Sequence, residues 1–113
     1  MDASVREHVR RRAANRCEYC LLRQEELPFS TFHIEHILPR KQGGDDELGN
    51  LALACDRCNS HKGVNLTGVD PETGEITALF NPRQHSWEEH FRLSDILVVG
   101  LTPVGRTAAF VLK

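Results

Sequence analysis

The chain has 113 residues, 40% of them apolar, and a formal net charge of −2. This length suits one domain rather than two, and the apolar fraction permits a modest hydrophobic core. The overall charge excludes a broadly basic nucleic-acid coat protein, and no apolar run approaches the length of a membrane span. We therefore expect a single domain over residues 1–113.

The first predicted element is a helix over residues 5–15. Ser4 and Glu7 have the spacing of a capping box, and apolar residues then recur on one narrow helical stripe. Most arginines of this segment lie off the stripe, where they either form a solvated face or contact DNA phosphates. The candidates for such contacts are Arg10, Arg11 and Arg16.

The four cysteines occur as two Cys-x-x-Cys pairs, Cys17/Cys20 and Cys55/Cys58. The first residues lack the apolar stretch of a signal peptide, which predicts a cytoplasmic location, where disulfides are rare. Two such pairs favour one structural zinc ion held by four thiolates. Redox disulfides or four free thiols are the alternative interpretation.

The central stretch, residues 32–63, reads FHIEHILPRKQGGDDELGNLALACDRCNSHKG. Its two apolar runs predict two strands, and Pro39 with the Gly-rich polar segment after it predicts a loop between them. Asp56 then fits a helix N-cap, and Gly63 a helix end. The predicted order is strand, loop, strand, helix.

Beyond this stretch the sequence predicts a small mixed extension. Residues 69–76 predict a turn between two strands, Ser86 the cap of a short helix, and residues 96–101 a buried strand. Thr102-Pro103 is typical of a helix start. The predicted core residues here are Trp87, Phe91, Leu97, Val99 and Phe110.

Taken in order, these motifs resemble those of the HNH nucleases, and most closely the subfamily with two Cys-x-x-Cys pairs. The resemblance is carried by EHI-x-P, by GNL before the second pair, and by CNSHKG; LFNPR, WEEHF and GLTPVGR also look like a tail of many bacterial members. It implies an α+β fold: a ββα-metal core over residues 17–63, stapled by the zinc site, with an N-terminal helix and a small α+β C-terminal extension over residues 64–113. It also implies a metal-dependent DNA endonuclease.

The residues that match the family's site are His36, Asn50 and Asn59. An imidazole can take a proton from water near neutral pH, so His36 is the candidate general base. Glu35 and Asn59 would supply oxygen ligands, which favour a catalytic Mg²⁺ or Mn²⁺. Asn50 would hold the loop through hydrogen bonds to backbone and so keep His36 in place.

One geometric difficulty accompanies this assignment. Glu35 and His36 are adjacent, and successive side chains of a flat strand point to opposite faces. Both reach one phosphate only if the strand ends or twists there, which the following Pro39 would permit. Further candidate phosphate contacts are Lys62, Arg40 and Lys41, and His33 and His61 are weaker candidates for the site.

DNA is the expected partner, with RNA as an alternative, and we expect no membrane partner and a monomer or weak homodimer. A zinc-stapled nucleic-acid-binding module without catalysis is the main alternative function. It leaves unexplained why Glu35, His36, Asn50 and Asn59 occur together. A redox or zinc-sensing protein is the third. No residue pattern indicates a recognition sequence, or nicking as opposed to double-strand cleavage.

Overall fold

The structure is a computed structural model that describes residues 1–113. Three two-stranded antiparallel sheets, β1–β2, β3–β4 and β5–β6, alternate with four helices. In chain order the elements are α1 (Ala3–Arg12), β1 (His33–His36), β2 (Leu51–Ala54), α2 (Asp56–Lys62), β3 (Thr67–Val69), β4 (Ile76–Ala78), α3 (Trp87–His90), β5 (Phe91–Ser94), β6 (Leu97–Gly100) and α4 (Pro103–Val111). None of the helices is long and apolar enough to cross a membrane.

The central unit has the predicted order of strand, loop, strand and helix. β1 and β2 form a hairpin in which Glu35 lies opposite Ala52 and His36 opposite Leu51. All four residues of β2 are buried, because α1 and α2 both pack against this strand. The short apolar run therefore forms the centre of the core, and β1 is held at its edge.

Two helix caps differ from those predicted. Asp2, not Ser4, caps α1, since its carboxylate accepts the Val5 amide at 3.0 Å. The Ser4 hydroxyl instead donates to the same carboxylate at 2.7 Å. In α2 the cap is Cys55, whose Sγ accepts a hydrogen bond from the backbone amide three residues later. The cysteine sulfur thus makes the capping hydrogen bond that was expected from the Asp56 side chain.

α1 ends at Arg12, three residues before the predicted end. Ala14 and Asn15 adopt left-handed backbone conformations, with φ of 53° and 55°. Such values are incompatible with a continuing right-handed helix. The turn they make brings the chain directly into the first cysteine pair.

The extension packs its hairpins against α4. Thr102 caps that helix as predicted, with its hydroxyl accepting the Gly105 amide at 3.0 Å. Asp70, at the end of the β3–β4 hairpin, has no exposed surface and accepts two hydrogen bonds from Arg106 at 3.1 and 2.8 Å. This ion pair ties the hairpin turn to α4.

One prediction for the extension holds only in part, and two are wrong. Ser86 occupies the N-cap position of α3 as predicted, but its hydroxyl makes no capping hydrogen bond and donates to Glu88 instead. The 96–101 segment is not a buried strand, since Leu97 is 66% exposed. Phe110 is also exposed, whereas Phe91 is buried as predicted. An apolar run alone does not distinguish a fully buried strand from an arm of an open hairpin.

Candidate metal centre and active site

The four cysteine sulfurs meet at one point between the two Cys-x-x-Cys segments. All four Sγ atoms lie within 4.8 Å of one another, and the Cys20 and Cys55 sulfurs are 3.8 Å apart. That separation is too long for a disulfide. Zinc–sulfur bonds of about 2.3 Å in a tetrahedron place the sulfurs about 3.8 Å apart. The cluster therefore fits a zinc ion held by four thiolates.

The two residues between the first two cysteines connect this centre to the rest of the protein. Glu18 accepts the backbone amide of Leu53 at 2.8 Å with one oxygen and pairs with Arg83 of the extension through the other. The Tyr19 hydroxyl donates to Glu35 at 2.7 Å. The sequence suggested no role for Arg83; its contact shows that it anchors the extension to the first cysteine pair.

Glu35 points from β1 into the interior. One of its oxygens lies 2.6 Å from Lys62 Nζ, and the other accepts the Tyr19 hydroxyl. The Glu35 and Lys62 side chains are 5% and 3% exposed. Lys62 also donates to the carbonyl of Ile37 at 2.9 Å, just past the end of β1. Burial raises the pKa of Glu35, and the Lys62 ammonium opposes that shift.

These contacts weigh against two expectations from the sequence. The Glu35 carboxylate is buried, with one oxygen accepting the Tyr19 hydroxyl and the other 2.6 Å from Lys62 Nζ without a hydrogen bond. A phosphate contact must be reachable from solvent, and the Lys62 ammonium is not. The buried ion pair therefore favours a structural role for Glu35 and Lys62, and metal binding by Glu35 stays a prediction.

His36 points from β1 to the other side, into a partly exposed setting. Its Nε2 lies 2.7 Å from an oxygen of Asp46, and Arg40 donates two hydrogen bonds to the same carboxylate, at 2.7 and 2.8 Å. The hydrogen bond with His36, followed by the Arg40 charge, lowers the pKa of Asp46. Arg40, which the sequence suggested as a phosphate contact, is thus paired with an acidic residue of the loop.

Asn50 ties the two ends of the β1–β2 loop together. Its side-chain oxygen accepts the Leu38 amide at 2.8 Å, and its amide nitrogen donates to the carbonyls of Leu38 and Asp45 at 3.0 and 2.9 Å. Backbone hydrogen bonding is what the resemblance implied for this residue. At Gly44 the chain passes so close to the Leu38 carbonyl oxygen that a Cβ would lie 1.7 Å from it. The loop that carries Asp46 is therefore held from both ends.

The other candidates surround this unit without joining it. Asn59 lies half-buried on α2, and its side chain makes no hydrogen bond to the protein. His33 pairs with Asp56, beside the second cysteine pair. His61 and Lys41 are exposed and form no ion pair. The structure thus leaves one amide oxygen, that of Asn59, free on the helix that follows the loop.

The arginines of the N-terminal segment mostly hold α1 in place. Arg10 and Arg12 donate to backbone carbonyls in and beside the β1–β2 hairpin, at 2.6 to 3.1 Å. Arg11 pairs with Glu7 on the helix surface at 2.7 Å. Of the three predicted phosphate contacts in this segment, Arg10, Arg11 and Arg16, only Arg16 makes neither an ion pair nor a side-chain hydrogen bond. The spacing of the arginines in the sequence could not predict these hydrogen bonds, because the accepting carbonyls belong to residues far away in the chain.

The geometry can be compared with known families. Residues 17–65 match the family model described as HNH endonuclease. This part of the chain is thus similar to HNH endonuclease domains. The match covers all four cysteines, the β1–β2 hairpin with its loop, and α2, and it confirms the family resemblance and the α+β fold. HNH domains are nuclease-type domains that act on nucleic acids. No curated protein and no solved structure matches the chain.

Proposed function

We propose that this protein is a DNA endonuclease that hydrolyses phosphodiester bonds with His36 as general base. The observation that carries the proposal is the supported imidazole. His36 lies at the end of β1 in the HNH-like segment, its side chain is 19% exposed, and a loop carboxylate contacts one ring nitrogen. The ring is thus both held and reachable.

The chemistry we assign to His36 is the removal of a proton from a water molecule that attacks phosphorus. A positioned base of this kind contributes about 10²- to 10⁴-fold to a rate. The exposed guanidinium of Arg40, beside His36, would stabilise negative charge on a phosphate bound there. Lys41 and Arg16 are the remaining candidate cations for the DNA backbone.

A requirement for Mg²⁺ or Mn²⁺ stays a prediction. Its candidate ligand is Asn59, because the amide oxygen has no partner within the protein. For Glu35 we propose a structural role: with Lys62 and Tyr19 it holds the end of β1 from the inside. A monomer or weak homodimer and a cytoplasmic location are likewise predictions.

The experiment is cleavage of supercoiled plasmid by the zinc-loaded protein, with EDTA, Mg²⁺, Mn²⁺ or added Zn²⁺ in parallel. We expect nicking or linearisation that needs Mg²⁺ or Mn²⁺ and disappears in His36→Ala. His8→Ala is the matched control, since His8 is an exposed histidine of α1 without a hydrogen bond; it should cleave like the wild type. Single-stranded and structured RNA are tested beside DNA.

Two results would contradict the proposal. Cleavage that persists in His36→Ala would remove this residue from the mechanism. Binding of DNA without cleavage under any of the metals, by wild-type protein with its full zinc content and a cooperative thermal transition, would favour the zinc-stapled binding module.

A further inference from the structure

The acid beside His36 comes from a different part of the chain. Asp46 lies on the β1–β2 loop, ten residues after the histidine, and its sequence context, Gly-Gly-Asp-Asp-Glu, resembles an ordinary solvated loop. In the fold its carboxylate lies 2.7 Å from His36 Nε2. Arg40 approaches the same ring nitrogen only to 3.4 Å, through Nε.

These two distances determine which ring nitrogen carries hydrogen. An ionised carboxylate can only accept, so a contact at 2.7 Å requires a hydrogen on Nε2. The competing arrangement, with Arg40 as donor to Nε2, has a length beyond the usual 2.7–3.2 Å range of N–H hydrogen bonds. The tautomer of a histidine is set by the hydrogen bond that its other nitrogen makes.

We propose that Asp46 is the positioning residue of this site: it holds hydrogen on Nε2 of His36 and so leaves Nδ1 as the nitrogen that accepts the proton. The kinetic part of this inference rests on the proposed function, whereas the tautomer does not. The proton moves from water to Nδ1, the hydroxide oxygen bonds to phosphorus, and the bond from phosphorus to the leaving sugar oxygen breaks, with a solvent water protonating that oxygen. The ring becomes an imidazolium whose charge the Asp46 carboxylate stabilises.

The loop is built to present this carboxylate. Asn50 binds the Asp45 carbonyl, one residue before Asp46, and Arg40 holds both carboxylate oxygens. The close approach at Gly44 fixes the chain two residues before Asp46. Three separate contacts thus set the position of one exposed acid, which a merely solvated loop residue does not require.

Nuclear magnetic resonance of the ring nitrogens tests the tautomer without reference to activity. We expect wild-type protein labelled with ¹⁵N, at alkaline pH where a histidine ring is neutral, to show a downfield proton bonded to Nε2 of His36. A proton held by a carboxylate exchanges slowly enough with water to be seen. That signal should be lost in Asp46→Ala and kept in Glu47→Ala.

Glu47→Ala is the matched control, because this substitution removes a negative charge from the same loop. The Glu47 side chain is exposed and contacts no histidine. We expect Asp46→Ala to lower the rate of plasmid cleavage about ten- to a hundredfold, and Glu47→Ala to leave it within about twofold. If Asp46→Ala does not retain zinc, Asp46→Asn takes its place, since it loses the charge at nearly constant shape.

The outcomes separate this inference from the proposed function. An inactive wild type with the Nε2 proton present would reject the nuclease and leave the positioning intact. A proton on Nδ1 in the wild type, or a signal that survives unchanged in Asp46→Ala, would overturn the inference even if the enzyme cleaves DNA. So would an Asp46→Ala variant that cleaves as fast as Glu47→Ala.

Discussion

Glu35 and His36 are neighbours on β1, yet the protein places them in opposite environments. Glu35 is 5% exposed, and both of its oxygens contact buried groups. His36 is 19% exposed, with one ring nitrogen bound by an acid that is itself half exposed. The inner face of this strand carries a buried ion pair, whereas the outer face leaves one ring nitrogen reachable from solvent.

The difference shows how the domain separates support from chemistry. The inner group runs from the zinc centre, through Tyr19, to Glu35 and Lys62, and from Lys62 to the carbonyl that follows the strand. The outer group consists of His36 on β1 and the loop residues Arg40 and Asp46. Loss of an inner side chain should therefore cost stability, whereas loss of an outer side chain should cost activity with little loss of stability.

The largest expected effect comes from breaking the inner ion pair. Lys62→Met should lower the free energy of unfolding by about 3–5 kcal/mol, because it leaves a buried carboxylate without its partner. His36→Ala, on the outer face, should lower it by only about 1 kcal/mol, the usual size for loss of one side-chain hydrogen bond. Urea denaturation of zinc-loaded protein measures both.

The double variant Glu35→Gln/Lys62→Met sharpens this test. It removes both charges, so part of the lost stability should return, although the bond from Lys62 to the Ile37 carbonyl does not. Equal stability of Lys62→Met and His36→Ala would refute the distinction between the two faces.

A smaller effect is expected at the loop that builds the outer face. A Cβ at Gly44 would lie 1.7 Å from the Leu38 carbonyl oxygen and 2.9 Å from the Asn50 side chain. Gly44→Ala should therefore displace the loop, lower stability by about 2 kcal/mol and reduce cleavage. Gly49→Ala, where a Cβ meets no atom within 4 Å, is the control, and thermal unfolding with plasmid cleavage compares them. A harmless Gly44→Ala would show that the loop is not fixed at this point.

Local patterns predicted the central unit well, because its signals are short-range. The two Cys-x-x-Cys pairs, the two apolar runs and the Pro-Gly punctuation each act within a few residues, and together they led to the strand, loop, strand and helix. The prediction failed where a residue's role depends on distant partners. Nothing local in IEHIL shows that Glu35 meets Lys62 and Tyr19.

The same limit explains Asp46 and the extension. The acid that contacts His36 lies in a charged run whose ordinary interpretation is a solvated loop. In the extension, the apolar segment 96–101 indicated burial, but only the packing of β5–β6 against α4 decides how much of it is covered. The alternation rule, by contrast, correctly raised the difficulty of placing Glu35 and His36 at one site.

The smallest expected effect is on the pH dependence of stability, in which Glu35 and the other buried acid, Asp70, should differ. Burial raises the pKa of Glu35, whereas the hydrogen bonds from Arg106 lower the pKa of Asp70 from 3.8 to about 2. A group with a lowered pKa in the folded state stabilises above its unfolded pKa, and this contribution is lost as the pH falls through the folded value.

The stabilisation from Asp70 should therefore be complete above about pH 4 and disappear towards about pH 2. Glu35 does not contribute to this loss, because a raised pKa makes the folded state bind its proton more readily as the solution is acidified. We expect the thermal midpoint of the wild type to fall more steeply between pH 5 and pH 2.5 than that of Asp70→Asn, which has no proton to gain at this position. Arg106→Gln should flatten the curve in the same way, since it removes the main cause of the shift while leaving the acid. Parallel curves for all three proteins would mean that the tie between the β3–β4 hairpin and α4 does not depend on the charge of Asp70.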